Sequence, residues 1–428
     1  MWDSLLNSFL DRAIRKGRLN ITYTNGTERS FGSGPGGPEV SVILKDPDLP
    51  KKMITDIELA FCEAYMDGGL EIVDDDIYGI ITLAMVNLRS EGAVRGKIHK
   101  AVETSRKMLR RLSQFNPVGK AQENVAHHYD LSGALYDLFL DEDRQYSCAY
   151  WPRLDMTLEE AQLAKKRHIA NKLLLKPGMK VLDIGCGWGG MALTLAKEYG
   201  ARVVGVTLSK EQHAIAVQRV RDEGLEGQVE IRLQDYRHVD ETFDRIVSVG
   251  MFEHVGVPHY REYFRHVKKF LAPDGVALIH TIGRSDPPGT TAAFITKYIF
   301  PGGYVPAMSE AMAAVEKEHL VATDVEVWRL HYAETLKHWY DRFMLNVDKA
   351  EELYDARFVR MWRLYLVACE MTFRMNDQVV FQFQLARNQE AVPLTRDYLY
   401  RAPDRSDLLN APLEQPARVE EAPVRAAE

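Results

Sequence analysis

The residue pattern best suited to chemistry is a glycine-rich turn, Asp183-Ile184-Gly185-Cys186-Gly187-Trp188-Gly189-Gly190. It follows a strand-like segment at 179–184 and opens a helical pattern near 189–199. Glycines are needed at such a place because the turn is tight and a ligand must approach the backbone closely. The turn satisfies both GxGxxG, typical of dinucleotide sites, and DxGxGxG, typical of S-adenosylmethionine sites. The turn alone therefore does not decide between the two cofactors.

The neighbouring residues favour S-adenosylmethionine. A dinucleotide site has an acidic residue about 20 positions further on, at the end of the next strand, to hold the ribose. Here that strand ends in Thr207-Leu208-Ser209, without an acid. The missing acid is also unusual for a methyltransferase, and Gln212 could bind the ribose instead. Gln212 also ends the sequence Ser209-Lys-Glu-Gln212, a capping box in which it would only cap its own helix; both roles stay open.

Alternating strand and helix patterns surround this turn between about 120 and 285. Such alternation is the signature of a parallel sheet with crossover helices, that is, an α/β fold. The candidate strands are 179–184, 202–207, 229–233, 244–250 and 275–282, and the intervening helices lie near 189–199, 210–223 and 259–271. Longer helical patterns follow at 333–350 and 355–375, then a strand at 379–386.

The N-terminal part has a different pattern and predicts a small α+β unit. Apolar residues within 2–17 fall on one helical face, and a hairpin signal centred on Asn25-Gly26 precedes a strand at 40–44. Helical patterns fill much of 50–113, and the chain after about 402 is rich in Pro, Ala and charge without periodicity, which predicts disorder. We therefore predict an N-terminal domain and linker at 1–115, a catalytic domain at 116–400 and a disordered tail at 401–428.

Composition and charge exclude several classes of protein. The net charge of −7 gives no basic field for nucleic acid, and the four cysteines show neither disulfide nor zinc spacing. We expect no metal site, no signal peptide and no membrane-spanning segment, and hence a cytoplasmic protein. The stretch from Arg89 to Arg111 holds eight Lys or Arg residues against two Glu. It could be a solvated helix face or linker, or a patch that meets anionic lipid headgroups.

Several further segments carry a family resemblance. They are HHYDLSGALYDLFLD (127–141), YSCAYW (146–151), VTLSKEQ (206–212), FEHVG (252–256), HTIG (280–283) and KYIFPGGY (297–304). In this order, together with the glycine turn, they resemble the cyclopropane-fatty-acyl-phospholipid synthase family, whose relatives include the mycolic acid methyltransferases. The resemblance covers about 120–390, and AYMDGG at 64–69 fits the lipid-engaging N-terminal domain of the bacterial phospholipid enzymes.

The resemblance implies a class I methyltransferase (Rossmann-like) domain with added helices, and an enzyme that transfers a methylene group from S-adenosylmethionine to a cis double bond of a phospholipid acyl chain. Motif and resemblance together give the candidate cofactor residues Tyr146, Ser147, Asp183, Gly185, Gly187, Gly189, Thr207, Leu208, Gln212, Asp235 and Tyr236. The resemblance also implies a bicarbonate ion held by Glu253, His280 and Tyr332, with Cys148 and Ile282 adding contacts through backbone.

These residue types suit the implied reaction. Methyl transfer to an alkene leaves a carbocation, and ring closure then requires a base that removes a proton from the added methyl group. Bound bicarbonate can be that base; Glu253 can accept a hydrogen bond from it, and His280 and Tyr332 can donate. His280 could instead be a core residue, and Glu253 could cap the helix that starts near Pro258. Cys148 has no adjacent base that would make it a nucleophile.

Other interpretations concern the product and the surface. The run from Phe294 to Tyr304 could be core or the wall of an acyl-chain channel. A different fate of the carbocation would give a methyl-branched or methylene-bearing chain, and a non-catalytic lipid-binding protein is a further alternative. The expected partners are the phospholipid membrane surface and a second copy of the chain, with no nucleic acid. The expected location is the inner face of the membrane, peripherally bound.

Overall fold

The computed structural model describes residues 2–88 and 133–400, beginning with a small N-terminal unit. Its sheet has four strands: β1 (Arg18–Thr22), β2 (Glu28–Phe31), β3 (Glu39–Leu44) and β4 (Leu70–Ile72). Their spatial order is β2-β1-β3-β4; β1 and β3 are parallel and the other pairs antiparallel. Its helices are α1 (Trp2–Ala13), α2 (Leu49–Thr55), α3 (Ile57–Asp67) and α4 (Ile77–Leu88). The predicted α+β unit is confirmed.

The predicted hairpin joins β1 to β2. In β1, Leu19 and Ile21 are buried and alternate with less buried residues, the period of two that a strand with one face in the core requires. Gly26, with φ of 80°, closes the turn by donating its amide hydrogen to the Tyr23 carbonyl oxygen at 2.8 Å. The turn chemistry therefore places the apolar face of the hairpin on the core.

The second sheet contains seven strands: β5 (Lys180–Ile184), β6 (Arg202–Thr207), β7 (Val229–Leu233), β8 (Phe243–Val249), β9 (Leu271–Arg284), β10 (Val321–Trp328) and β11 (Gln378–Ala386). Their order is β10-β11-β9-β8-β5-β6-β7. Strands β5 to β9 are parallel, and β11 pairs antiparallel with both β9 and β10. The central strands are buried on both faces, so they appear in the sequence as nearly continuous apolar runs. The predicted α/β fold of the class I methyltransferase type is confirmed.

Helices cover this sheet and extend beyond it. They are α5 (Gly133–Tyr136), α6 (Leu158–Lys172), α7 (Gly190–Tyr199), α8 (Lys210–Asp222), α9 (Tyr260–Phe270), α10 (Met308–Lys317), α11 (His331–Leu345), α12 (Val347–Leu353) and α13 (Ala356–Met375). The single helix predicted over 333–350 is two helices, α11 and α12, separated at Asn346. A π-helical turn at Ile295–Ile299 follows β9.

The N-terminal unit packs against α13 through α3 and α4. The Tyr78 hydroxyl of α4 donates to Glu370 Oε2 at 2.7 Å, and Arg357 Nε donates to Asp67 Oδ1 at 2.6 Å. One hydrophobic cluster includes buried residues from both sides of this contact. The N-terminal unit therefore shares an apolar cluster with α11 and α13, while the central strands of the seven-stranded sheet lie in two further clusters.

Some predictions fall outside the described residues. These are the interpretation of the basic stretch Arg89–Arg111, the 115/116 domain boundary and the tail at 401–428. The three-part division of the chain therefore stays a prediction. None of the described helices has the length and apolar content needed to cross a membrane.

Candidate functional site

A cleft opens at the carboxyl ends of β5, β6 and β8, the edge where open α/β sheets bind their ligands. All predicted cofactor residues line this cleft except Gly189. The residues on its wall are Tyr146, Ser147, Asp183, Gly185, Gly187, Thr207, Leu208, Gln212, Asp235 and Tyr236. Predicted cofactor residues from four separate segments of the chain thus meet in one place.

Gly187 and Gly189 of the turn have different structural roles. Gly187 has φ of 53°, and a Cβ atom there would meet no heavy atom within 4 Å, so a ligand can approach its backbone directly. Gly189 has φ of 85°, and its Cβ would lie 3.2 Å from the Ala216 Cβ of α8. Gly189 therefore allows α7 to pack against α8 beneath the turn and does not line the cleft.

Asp183 is the buried carboxylate of the cleft. It is 2% exposed, and its Oδ2 has no hydrogen-bond partner among the described residues. Burial raises the pKa of Asp183 to about 7, against a smaller opposing effect of the Lys165 ammonium. An acceptor without a partner at this depth fits the cationic S-adenosylmethionine, which brings positive charge and N–H donors.

Gln212 is fixed by its neighbours at the end of β6. Its Oε1 accepts from Thr207 Oγ1 at 3.1 Å, and its backbone N–H donates to Ser209 Oγ at 3.2 Å. Only the Ser209 half of the predicted capping box is formed, because the Gln212 side chain turns to Thr207 and the Ser209 N–H also donates to Thr207 Oγ1. Gln212 is 5% exposed on the cleft wall, where its amide can serve a ligand.

Asp235 is held by Arg237 at the next strand end. Arg237 donates from Nε to Oδ1 at 2.9 Å and from a terminal nitrogen to Oδ2 at 2.7 Å. Burial alone would raise the pKa of Asp235, but the Arg237 hydrogen bonds keep it below its usual value. Asp235 is therefore ionised at neutral pH. Tyr236 lies beside it, with its ring edge-on to Tyr263 at 5.5 Å.

Tyr146 and Ser147 reach the cleft on a loop held from below by α6. Lys165 Nζ donates to Ser147 Oγ at 2.6 Å and to Gln145 Oε1 at 2.9 Å. Gln162 Nε2 donates to the Ser147 carbonyl oxygen at 2.9 Å. The Tyr146 ring stacks on a tryptophan of α11, Trp339, at 5.2 Å. The loop is therefore fixed by buried polar contacts from one side and by aromatic packing from the other.

Cys148 follows this loop and is fully buried. Burial raises the pKa of its thiol well above the ordinary value, so the thiolate needed for nucleophilic attack does not form. The next backbone amide, of Ala149, donates to Thr335 Oγ1 in α11 at 3.0 Å. The structure thus places Cys148 between α6 and α11.

Glu253 and Ile282 are in direct contact. Glu253 lies in a short 3₁₀ helix after β8, and its Oε1 accepts the Ile282 N–H of β9 at 2.6 Å. Its Oε2 is buried without a hydrogen-bond partner among the described residues. Burial raises the pKa of Glu253 to about 7, opposed by the backbone hydrogen bonds. The Glu253 side chain joins two strand ends, and the helix-cap alternative is not what the structure shows.

His280 lies two residues before Ile282 on β9, so both side chains point to the same face of the sheet. It is 2% exposed, and its Nδ1 lies 3.0 Å from Gln382 Nε2 on β11. The Trp328 ring meets the imidazole edge-on at 5.3 Å. Burial, reinforced by two lysine charges, lowers the pKa of His280 well below its usual value, so the ring is neutral.

Tyr332 is the second residue of α11. Trp328, which contacts His280, also packs on His331 at 5.3 Å, and Tyr332 is the next residue. The Tyr332 ring itself packs against Phe373 at 5.0 Å. The structure joins Glu253 to Ile282 and places His280 on the same face of β9, whereas the Tyr332 ring packs on α13 and Cys148 precedes an amide bonded to α11; the roles of all five residues stay predictions.

The run from Phe294 to Tyr304 borders the cleft. Pro301 and Gly302 line it directly, and the Phe300 ring lies 5.9 Å from that of His254, another lining residue. Phe294 and Tyr304 are buried at its two ends. An apolar wall therefore stands next to the cofactor residues.

Lys165, Gln162 and Gln382 were not predicted from the sequence, although each contacts a predicted site residue. A signal for the first two existed: with Leu158, Ala161 and Ile169 they occupy the positions i, i+3, i+4, i+7 and i+11 that form the buried face of a helix. Polar residues at core positions of a helix indicate a buried polar network. Gln382 gives a weaker signal, since it only interrupts the apolar strand VVFQFQLA.

Comparisons with known proteins agree with this geometry. Residues 118–383 match the family model described as mycolic acid cyclopropane synthetase, and residues 5–92 match a domain of unknown function. The chain is 40% identical over 355 residues to the cyclopropane-fatty-acyl-phospholipid synthase of Escherichia coli (strain K12), covering 83% of this chain and 90% of that protein. It is 35% identical over 390 residues to a probable fatty acid methyltransferase of Pseudomonas putida, covering 87% and 94%.

A solved structure resembles the catalytic part. The mycolic acid cyclopropane synthase CmaA1, complexed with SAH and CTAB, matches with a TM-score of 0.60 and 36% sequence identity. That match covers 64% of this chain and 99% of the other.

Proposed function

Because the chain belongs to the mycolic acid cyclopropane synthetase family and is an S-adenosylmethionine-dependent methyltransferase, we propose that it forms cyclopropane rings on phospholipids. The reaction would add a methylene group across a cis double bond of an acyl chain. The extent of the match supports a phospholipid substrate. The alignment with the Escherichia coli synthase spans 355 residues, more than the chain contains after Leu88, so the alignment includes part of the N-terminal unit. The likeness to CmaA1 covers only 64% of this chain.

The proposed chemistry rests on the buried side chains of Glu253 and His280, which lie near the carboxyl ends of β8 and β9. Glu253 has one carboxylate oxygen tied to the Ile282 amide and the other without a partner among the described residues, and neutral His280 lies on the same strand as Ile282. An acceptor and a neutral N–H donor in a dry site suit an anion that carries its own hydroxyl. Bicarbonate is such an anion.

S-Adenosylmethionine supplies the methyl carbon when bound in the cleft beside Asp183 and the glycine turn. Bicarbonate, held by Glu253, His280 and Tyr332, would supply the base that accepts a proton from the added methyl group. The side chains themselves orient the bound anion and exclude water. Glu253 Oε2 can accept the hydroxyl of the anion, and His280 and Tyr332 can donate to its other oxygens.

The run Phe294–Tyr304 is proposed as the wall that holds the acyl chain. Pro301 and Gly302 line the cleft and the Phe300 ring contacts the lining residue His254, and positioning an alkene next to a methyl donor can supply several kcal/mol of the barrier. The same apolar wall keeps water from the carbocation on the acyl chain. This leaves proton loss, and hence ring closure, as the open route.

The first experiment expresses the chain in a host that makes no cyclopropane lipids and analyses its fatty-acid esters by gas chromatography and mass spectrometry. A new acid heavier by one CH₂, with a ring that survives mild hydrogenation over a double-bond-selective catalyst, is expected. The variants Glu253→Gln and His280→Asn should lower ring formation by about 100-fold or more, because they remove the anion's partners. Both should still bind S-adenosylmethionine in calorimetry; normal ring formation by either variant would contradict the proposed anion site.

A second product is favoured by one relative. The Pseudomonas putida protein, aligned over 87% of this chain, is named a probable fatty acid methyltransferase. A hydride shift and proton loss at another carbon would give a methyl-branched or methylene-bearing chain of the same mass. Hydrogenation of such a product to a methyl-branched saturated acid would assign this second function.

The proposed site of action is the inner face of the membrane, where the chain would bind peripherally, with a second copy as a candidate partner. The support for lipid contact is the Arg89–Arg111 stretch of the sequence, with eight basic residues. Binding to anionic vesicles should then weaken steeply between low and high salt, as surface charge is screened. Binding that is indifferent to salt would contradict a role for this stretch.

A further inference from the structure

Gln382 is a buried amide placed directly beside His280. In the antiparallel pairing of β9 and β11, His280 and Gln382 are register partners, and residues directly opposite in such a pair point to the same face of the sheet. Gln382 is fully buried and its Nε2 lies 3.0 Å from His280 Nδ1. Its Oε1 has no hydrogen-bond partner among the described residues. The hydrogen bond to His280 is therefore the one that the Gln382 side chain makes among the described residues.

The direction of this hydrogen bond follows from the donor. The Gln382 Nε2 group carries only hydrogens and must donate, so His280 Nδ1 must accept with its lone pair. A neutral imidazole that accepts at one nitrogen carries its proton on the other. With the Gln382 amide oriented as in the structure, the remaining proton of neutral His280 lies at Nε2.

The surroundings keep the ring neutral. The charged groups that act on His280 are Lys165 and Lys172 of α6 and Glu326 of β10. Both lysines are buried, and Glu326 is engaged by Lys172 at 2.5 Å. Burial and the two lysine charges oppose protonation, which lowers the pKa of His280 well below its usual value. The ring consequently has a single N–H, and its position decides whether Nε2 attracts or repels an anion.

We propose that Gln382 is a positioning residue that holds His280 in the tautomer protonated at Nε2, so that this nitrogen donates a hydrogen bond to a bound anion. This rests on the proposed function, in which His280 helps to hold bicarbonate. The opposite tautomer would turn a lone pair toward the anion's oxygens. Trp328, edge-on to the imidazole at 5.3 Å, restrains the ring plane, while Gln382 sets the proton.

The tautomer is measured directly by long-range ¹H–¹⁵N correlation spectra of the full-length chain labelled with [¹⁵N]histidine. The His280 signals are those lost in His280→Asn. The expected spectrum has a protonated Nε2 and an unprotonated Nδ1. In Gln382→Glu the pattern should reverse, because Lys165 and Lys172 favour a carboxylate that can only accept. Protonated Nδ1 in the unmodified chain, or an unchanged pattern in Gln382→Glu, would overturn the proposal.

A kinetic measurement separates positioning from stability. The rate of product formation is followed against bicarbonate concentration in depleted buffer, with vesicles of unsaturated phospholipid. For Gln382→Met we expect the half-saturating bicarbonate concentration to rise about tenfold, with the KM for S-adenosylmethionine unchanged. The matched control is Gln384→Met, which removes a buried amide of the same strand that donates to the Lys172 carbonyl oxygen at 2.6 Å. Its half-saturating bicarbonate concentration should not change.

These experiments test the role of Gln382 separately from the proposed bicarbonate site. Equal effects of the two methionine variants would reduce Gln382 to a structural residue and overturn the inference. A rate of the unmodified chain that does not depend on bicarbonate would contradict the proposed anion, and the tautomer spectra alone would then decide the role of Gln382. If Gln382→Glu does not fold, the spectrum of the unmodified chain and the kinetics of Gln382→Met still test the inference.

Discussion

At the scale of single residues, the site depends on charges that lie below its surface. Lys165 has no exposed surface, and burial lowers the pKa of its ammonium to about 8. It supports the loop that carries Ser147 while its charge lies near Asp183 and His280. One buried cation therefore links the cofactor cleft to the group around His280.

Replacing this cation should weaken cofactor binding. In Lys165→Met, Ser147 and Gln145 lose their common donor, and hydrogen bonds to charged groups contribute about 1.5–3 kcal/mol. We expect the Kd for S-adenosylmethionine to rise by about 10- to 100-fold in calorimetric titration. Lys197→Met removes an exposed lysine paired with Glu223 and serves as control. Unchanged affinity in Lys165→Met would show that the loop is held by its other contacts.

Cofactor affinity should also depend on pH through Asp183. Its raised pKa of about 7 means that the carboxyl group is mostly neutral at pH 6 and mostly charged at pH 8. Because S-adenosylmethionine is a cation, its affinity should increase by about tenfold from pH 6 to pH 8. Asp183→Asn cannot ionise, so this component of the pH dependence should vanish in calorimetric titrations of that variant. Asp240→Asn, at an exposed carboxylate, should retain it.

At this scale the sequence predicts residues in motifs and misses residues that act through tertiary contacts. Asp183 and Gly187 were predicted from the glycine-turn motif and Thr207 from the family resemblance, and all three line the cleft. Gln382 is about 200 residues from that turn, and its meaning depends on the register between β9 and β11. No local pattern encodes such a pairing.

At the scale of elements, the N-terminal unit contacts the segment that borders the cleft. Glu63 of α3 accepts from Lys297 Nζ at 2.6 Å and from the Tyr298 hydroxyl at 2.9 Å. Both partners belong to the π-helical turn Ile295–Ile299, which leads to Pro301 and Gly302 on the cleft wall. A helix of the first unit thus positions part of the proposed acyl wall.

Loosening this contact should slow the reaction without affecting the cofactor. In Glu63→Gln, Lys297 loses its ion pair and Tyr298 keeps only a neutral acceptor. The contact is partly exposed, so a few-fold fall in kcat on phospholipid vesicles is expected, with the Kd for S-adenosylmethionine unchanged. Glu71→Gln breaks an exposed pair with Lys45 in the same unit and is the matched control. An equal effect of both variants would point to a general loss of the unit's stability.

The strands predicted most accurately are those whose hydrophobic pattern and flanking turn residues indicate the same boundaries. Strands 202–207 and 229–233 are observed as predicted, since the first is a short apolar run and the second alternates apolar and charged residues. Strand β10 was missed because Asp324 and Glu326 interrupt its apolar pattern. Those acids are accommodated by Lys172 and Arg396, partners that come from elsewhere in the chain. Tertiary ion pairs thus override the local pattern.

At the scale of the whole molecule, one hydrophobic cluster joins the N-terminal unit to α11 and α13, so we expect the N-terminal unit and these helices to unfold together. Tyr78 and Glu370 form a partly buried hydrogen bond across the contact, at 2.7 Å. Tyr78→Phe should lower the free energy of unfolding by about 1–2 kcal/mol, because the carboxylate loses a donor. Urea denaturation followed by circular dichroism measures this, with Tyr400→Phe, at an exposed tyrosine, as control. Two separate transitions would contradict the shared core.

The π-helical turn at Ile295–Ile299 has a consequence for how such enzymes diversify. A π-helical turn is an α-helical turn with one residue inserted. Loss of a single codon there would restore ordinary helical geometry within the turn and rotate its remaining side chains, up to Ile299, by about 100° about the axis. Ile299, 3% exposed, would leave the interior and a neighbour would replace it. One small genetic event would thus reshape the wall beside the cleft while the cofactor residues stayed in place, giving natural variants a short route to lipids of different length or shape.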